Sequence, residues 1–82
     1  MTIEARFNSS QLAGKLRDGP YELPDAATVA DFMEAAQSEA GMELTGQQKD
    51  SFVFVFNNSP AKYDTVLTDG GKIRVMFKIL GG

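Results

Sequence analysis

The sequence contains no cysteine and no histidine. The first absence excludes disulfides, thiolate–metal sites and cysteine nucleophiles, and is compatible with a reducing compartment. The second removes the commonest general base and metal ligand, so a self-contained enzyme mechanism has little to be built from. No apolar run approaches the roughly 18 residues that a membrane span needs, and the opening Met1-Thr2-Ile3-Glu4-Ala5-Arg6 is not a secretory signal. Positive charge is not in excess either. Eight Lys and Arg stand against eleven Asp and Glu, a net charge of −3. That argues against nucleic acid as the main partner and slightly favours a partner with a basic docking surface. The expectation is a cytoplasmic protein with no membrane or nucleic-acid role.

What is present suits one small domain. Eighty-two residues bury roughly 60–65% of their unfolded surface, so the core is small. An apolar fraction of 43% is too high for disorder. Residues 2–7 alternate, with Ile3, Ala5 and Phe7 on one side and Thr2, Glu4 and Arg6 on the other, the pattern of a half-buried strand. Ser9 and Ser10 offer an N-cap for a short helical turn carrying Leu12, Ala13 and Leu16, which Asp18-Gly19-Pro20 ends. Tyr21-Glu22-Leu23 reads as a short strand pairing antiparallel with the first.

Residues 28–41 carry the clearest helix. Thr28 caps it, and Asp31 reaches back to the Thr28 N–H. Val29, Phe32, Met33, Ala36 and Ala40 form one apolar stripe, and Gly41 is the stop. Residues 42–50 are polar and read as a surface loop. Residues 51–57, Ser-Phe-Val-Phe-Val-Phe-Asn, are a strand wanting cover on both faces. A turn at Asn57-Asn58-Ser59-Pro60 leads to a brief edge strand at 61–63. Val66 and Leu67 then tuck inward, and Thr68-Asp69-Gly70-Gly71 turns again. Residues 72–80 are the last strand, with Ile73, Val75, Phe77 and Ile79 on one face and Lys72, Arg74, Met76, Lys78 and Leu80 on the other.

One amphipathic helix across a mixed sheet of four to five strands, with the first and last strands central and adjacent, would bury these faces. The predicted fold is α+β, a β-grasp or ubiquitin-like domain over residues 1–80, followed by a flexible diglycine tail at 81–82.

That tail is the candidate working group. Glycine has no Cβ, so Gly81 is a slim approach that can enter a narrow channel, and Gly82 presents a carboxylate. Two readings compete for the sheet face away from the helix. Met76 and Leu80 lie there with either Val53 and Val55 or the set Phe52, Phe54 and Phe56. The larger area of Phe54 and Phe56 favours placing the phenylalanines inward and the valines outward, as a docking patch with Ile79 and Leu80 anchoring the tail. Lys72, Arg74 and Lys78 form a basic row that reads as a solvated face. Asp69-Gly70-Gly71 reads as a plain turn rather than a phosphate nest. Capping explains Asp25, Asp31 and Glu34 better than paired catalytic carboxylates do. No metal site and no catalytic constellation is evident.

Leu12-Ala13-Gly14-Lys15-Leu16-Arg17, then Glu22-Leu23-Pro24, Thr28-Val29-Ala30-Asp31-Phe32, Phe56-Asn57-Asn58, residues 64–70 and the final Gly81-Gly82 together resemble the MoaD/ThiS family. Its members are the molybdopterin-synthase small subunit and the thiamin-pathway sulfur carrier, bacterial relatives of ubiquitin. The likeness spans nearly the whole chain, and the segment after the first strand looks more like the molybdopterin branch. Asn58 stands where the family often has glycine, an exchange that asparagine's tolerance of left-handed angles permits. Gly71 and Lys72 stand where acidic residues are frequent, and Phe77-Lys78-Ile79-Leu80 lacks the usual prolines and small residues.

The resemblance implies a carrier rather than an enzyme. A terminal carboxyl with a reference pKa of about 3.3–3.7 is ionised and a poor electrophile. Adenylation makes it a mixed anhydride, and a sulfide equivalent can displace AMP to leave a thiocarboxylate on Gly82. Neither Gly14-Lys15 nor Gly70-Gly71-Lys72 has the spacing of a phosphate-binding loop. The chain therefore binds no cofactor of its own, and ATP and Mg²⁺ belong to a partner. The implied partners are a ubiquitin-activating-type adenylating enzyme, a sulfur-donor enzyme, and a synthase large subunit or other sulfur acceptor in molybdopterin or related cofactor synthesis. A protein modifier joined to substrates through Gly82, and a plain β-grasp binding module, remain as alternatives.

Overall fold

The computed structural model describes residues 1–8 and 15–77, with the side chain of Phe77 left aside. Five strands and two helices follow in the order β1 (Thr2–Phe7), β2 (Gly19–Glu22), α1 (Val29–Ala40), α2 (Gly46–Asp50), β3 (Phe52–Phe56), β4 (Ser59–Ala61) and β5 (Lys72–Phe77). They form one sheet of order β2-β1-β5-β3-β4. β1 and β5 run parallel, and every other pairing is antiparallel. The expected central pairing of first and last strands is therefore present. The short helix expected after Ser9 lies outside the described residues, apart from the buried Leu16 at its end.

The core lies between the sheet and α1. Alternation in β1 sends Ile3, Ala5 and Phe7 inward, and β5 contributes Ile73 and Val75. From α1, Val29, Phe32, Met33 and Ala36 of the expected stripe cover them, whereas Ala40, in the last turn, is exposed. Phe32 is completely buried. Its ring stacks on Phe7 at 5.8 Å and meets the edge of Tyr21 at 5.2 Å, so one helical side chain grips both β1 and β2.

Caps fix the ends of α1 where the sequence places them. The Thr28 hydroxyl accepts from the Asp31 N–H at 3.3 Å, and the Asp31 carboxylate accepts from the Thr28 N–H at 2.9 Å. Gly41 closes the helix at φ 68°, a left-handed angle that glycine takes without a Cβ penalty. The buried Gln37 donates to the Met33 carbonyl and accepts from the Leu44 N–H at 2.9 Å, which fixes the chain leaving the helix.

Three readings of the middle of the chain need correction. Residues 42–50 are not all loop, because α2 forms there on a second capping box. Thr45 and Gln48 exchange bonds of 2.9 and 3.1 Å. The β3–β4 turn has two residues, not four, and the edge strand is Ser59–Ala61 rather than 61–63. Asn57 and Asn58 both adopt positive φ, 51° and 67°, the pattern of a tight hairpin turn matched to strand twist. Val66 is not inside. It bridges Thr28 as an isolated antiparallel pair and is 54% exposed, while its neighbour Leu67 is buried.

Gly71 explains one departure from the resembled pattern. A Cβ there would overlap Cζ and Cε1 of the Phe56 ring and approach the Thr68 carbonyl at 3.0 Å. No acidic side chain fits. Gly71→Ala is expected to destabilise the fold by about 1–3 kcal/mol through overpacking. Urea titration followed by circular dichroism measures it. The loss should shrink in a Phe56→Leu background, and an equal loss in both backgrounds would show that the ring is not the obstacle.

Candidate functional site

Strand parity builds the site. Phe52, Phe54 and Phe56 face the core and Val53 and Val55 face away, which resolves the open choice at β3 in favour of outward valines. Val53 is 39% exposed, and Val55 is half-buried. Across the ladder Val53 pairs with Met76, itself half-buried, and Val55 pairs with Arg74. Val53, Val55 and Met76 are thus brought together on the outer face of two adjacent central strands. Their row lies beside the end of β5 that leads toward the diglycine. Lys78 of the expected basic row, and Ile79, Leu80, Gly81 and Gly82, lie outside the described residues.

The outer face continues onto β1. Glu4 pairs with Lys72, and Arg6 pairs with Arg74. Together with Val55 these residues line a shallow depression of about 720 Å³. Arg6 was legible only as the polar side of a strand. Its place beside the basic row depends on β1 lying parallel to β5, with matching parity in both strands.

The loop before β5 is a brace. The Asp69 carboxylate accepts from the Thr2 N–H at 2.7 Å, and Gly70 N–H donates to the Thr2 carbonyl at 2.8 Å. The Gly71 N–H donates to the Thr68 carbonyl at 3.1 Å. These donors are engaged within the fold, so the segment is a turn and not an anion nest. At the start of β5 the Asn57 side chain accepts from the Lys72 N–H at 2.9 Å.

Titration features lie elsewhere. Arg17 donates to both oxygens of Glu39 at 2.7 and 3.1 Å and lies 4.2 Å from the centre of the Tyr21 ring. Its guanidinium holds the Glu39 carboxyl below the usual range. Burial pushes the Tyr21 and Tyr63 phenols up. Tyr21 donates to the Arg17 carbonyl at 2.7 Å and Tyr63 to the Lys49 carbonyl at 2.6 Å. These contacts staple elements together. Among the described residues no group of three or more Asp, Glu, His or Cys is placed to hold a metal ion. No helix there is long and apolar enough to cross a membrane.

By sequence, no family model matches the chain, and a search of curated proteins finds no match. Solved structures do match. Small archaeal modifier protein 1 of Haloferax volcanii superposes with a TM-score of 0.73 at 18% identity, over 95% of this chain and 98% of that one. A putative molybdopterin converting factor subunit 1 from Pyrococcus furiosus gives 0.69 at 24% identity, over 96% and 99%. A chain in the complex of subunits 1 and 2 of the molybdopterin-converting factor of Helicobacter pylori gives 0.56 at 19%, over the full length of both. With its five-stranded mixed sheet and one long helix across it, the chain has the ubiquitin-like β-grasp fold of these proteins.

Proposed function

We propose that the chain is a sulfur carrier whose reactive group is the carboxyl of Gly82, and that it is not itself an enzyme. The observation that carries this reading is the sheet order. β5, the strand leading toward Gly81-Gly82, is hydrogen-bonded on both sides, by β1 and β3, at the centre of the sheet. A carrier needs its reactive end held on a rigid element, and a doubly paired strand is one. The fold shared with a molybdopterin-converting-factor subunit adds support.

In the proposed cycle a partner enzyme of the ubiquitin-activating type supplies ATP and Mg²⁺. The Gly82 carboxylate attacks the α-phosphorus of ATP, pyrophosphate leaves, and the acyl adenylate forms. A sulfide equivalent from a donor enzyme then attacks the acyl carbon and expels AMP. The resulting thiocarboxylate delivers sulfur to a cofactor precursor of the molybdopterin type. Gly81 admits the end of the chain to the partner's channel, Ile79 and Leu80 anchor the approach, and Met76, Val53 and Val55 dock the body. A larger synthase subunit is the proposed receiving partner, since one structural neighbour is a complex of two such subunits. The need for ATP suits a cytoplasmic setting.

Likeness to a protein named a modifier favours one second reading, conjugation of Gly82 to a substrate amine. Both readings share the adenylate and diverge after it. Intact mass spectrometry of the native product, incubated with ATP, a sulfide source and the activating enzyme of the same genome, tests them. The carrier gains the mass of sulfur in place of oxygen at Gly82. A chain that gains nothing with an enzyme able to activate it, or that appears only as an isopeptide on lysine, overturns the carrier reading.

A further inference from the structure

The outer face of the sheet is charged against the sign of the chain. The protein carries a net charge of −3, yet the β1–β5–β3 surface presents Arg6, Lys72 and Arg74, all exposed, with Glu4 as the carboxylate among them. Glu4 lies opposite Lys72, which leaves Arg6 and Arg74 directly opposite each other on neighbouring strands. Such strands run about 4.8 Å apart, and like charges set opposite each other across strands destabilise a sheet. Among the described residues no carboxylate lies within ion-pair distance of either guanidinium. The arrangement costs the free chain stability and gains from an external anion.

Three rows cross the face: Glu4–Lys72, then Arg6–Arg74–Val55, then Met76–Val53. The arginine pair thus merges with the apolar pad along one open depression. We propose that this face docks a protein segment presenting at least two carboxylates beside an apolar side chain. The carboxylates would sit on Arg6 and Arg74, whose planar forks suit bidentate pairing, and the apolar group on Val53, Val55 and Met76. The proposal rests on the carrier reading only in naming the activating enzyme as the bearer of that segment. It also reverses the expectation from net charge, which favoured a basic partner.

Two measurements test it. The first needs no enzyme. Amide shifts of the full chain are followed by NMR during titration with a peptide of leucine among aspartate and glutamate, with its Asn/Gln counterpart, and with inorganic phosphate. Saturable shifts confined to the three rows, with the acidic peptide alone, are expected. They should fade with added NaCl and be absent in the Arg6→Ser/Arg74→Ser double variant, whose fold circular dichroism confirms. Equal binding of the neutral peptide, saturation by phosphate alone, or no localised shift overturns the proposal. The second uses the activating enzyme. The double variant should raise KM for the carrier about tenfold or more while leaving kcat for adenylation unchanged. Identical KM values overturn the proposal even if Gly82 is adenylated. An enzyme that adenylates neither chain counts against the carrier reading, and the peptide titration then decides the docking face by itself.

Discussion

Replacing Phe32 with alanine is expected to cost about 3–5 kcal/mol, a large share of the 5–15 kcal/mol or so typical of a folded domain. Phe32 has no exposed surface, and its ring touches Phe7 on β1 and Tyr21 on β2. Truncation removes the apolar contact and leaves a cavity between α1 and the sheet, where Phe7 loses its stacked partner and Tyr21 its edge contact. The strand ladders cannot close that gap without breaking, because β1 is hydrogen-bonded to β2 and β5 on its two sides. Phe32→Leu keeps much of the volume and should lose a smaller part. Urea unfolding measured by far-ultraviolet circular dichroism gives both numbers. A loss under about 1 kcal/mol for the alanine variant would show that the helix is held mainly by something other than this ring.

The second large effect separates stability from activity. Deleting Gly81 and Gly82 should abolish adenylate formation entirely and leave the urea midpoint unchanged. Among the described residues the core lies in 3–75 and the sheet is braced within 1–77, by Asp69 on Thr2, Asn57 on Lys72, and the paired strands themselves. Pyrophosphate release with the activating enzyme reads the first quantity and denaturant titration the second. Retained turnover in the truncated chain would refute Gly82 as the reacting group. A lowered midpoint would mean that the pair contributes to the body.

Much of the architecture was written in side-chain periodicity. The Thr28–Asp31 box and the Gly41 stop are local codes that local hydrogen bonds carry out, and the apolar stripe of α1 is legible by its spacing and realised by packing on the sheet. The centrality of β1 and β5 followed from their apolar faces. At Phe52–Phe56 both faces are apolar, so alternation could not choose, and residue size did. The misses share a cause, since each depends on partners remote in sequence or on elements too short to show a period. The five residues of α2 show no apolar stripe, and the one signal was Thr45 placed three residues before Gln48. Val66 is turned out because it pairs with Thr28, a contact across 38 residues that no local pattern encodes. The site divides the same way. Val53, Val55 and Met76 were legible by parity, whereas Arg6 joined them only through a strand pairing. The residues that the proposed chemistry uses most, 79–82, rest on sequence alone.

The parallel register of β1 and β5 has a mechanical consequence. A pull applied through Phe77 against Thr2 runs along both strands in opposite senses, so the bonds between them are loaded together in shear rather than peeled one at a time. β3, antiparallel on the other flank, adds a second ladder that β5 must slide past. Traction on this end of the molecule therefore loads both ladders along their length, and a motor that drags the chain from that side works against the two together.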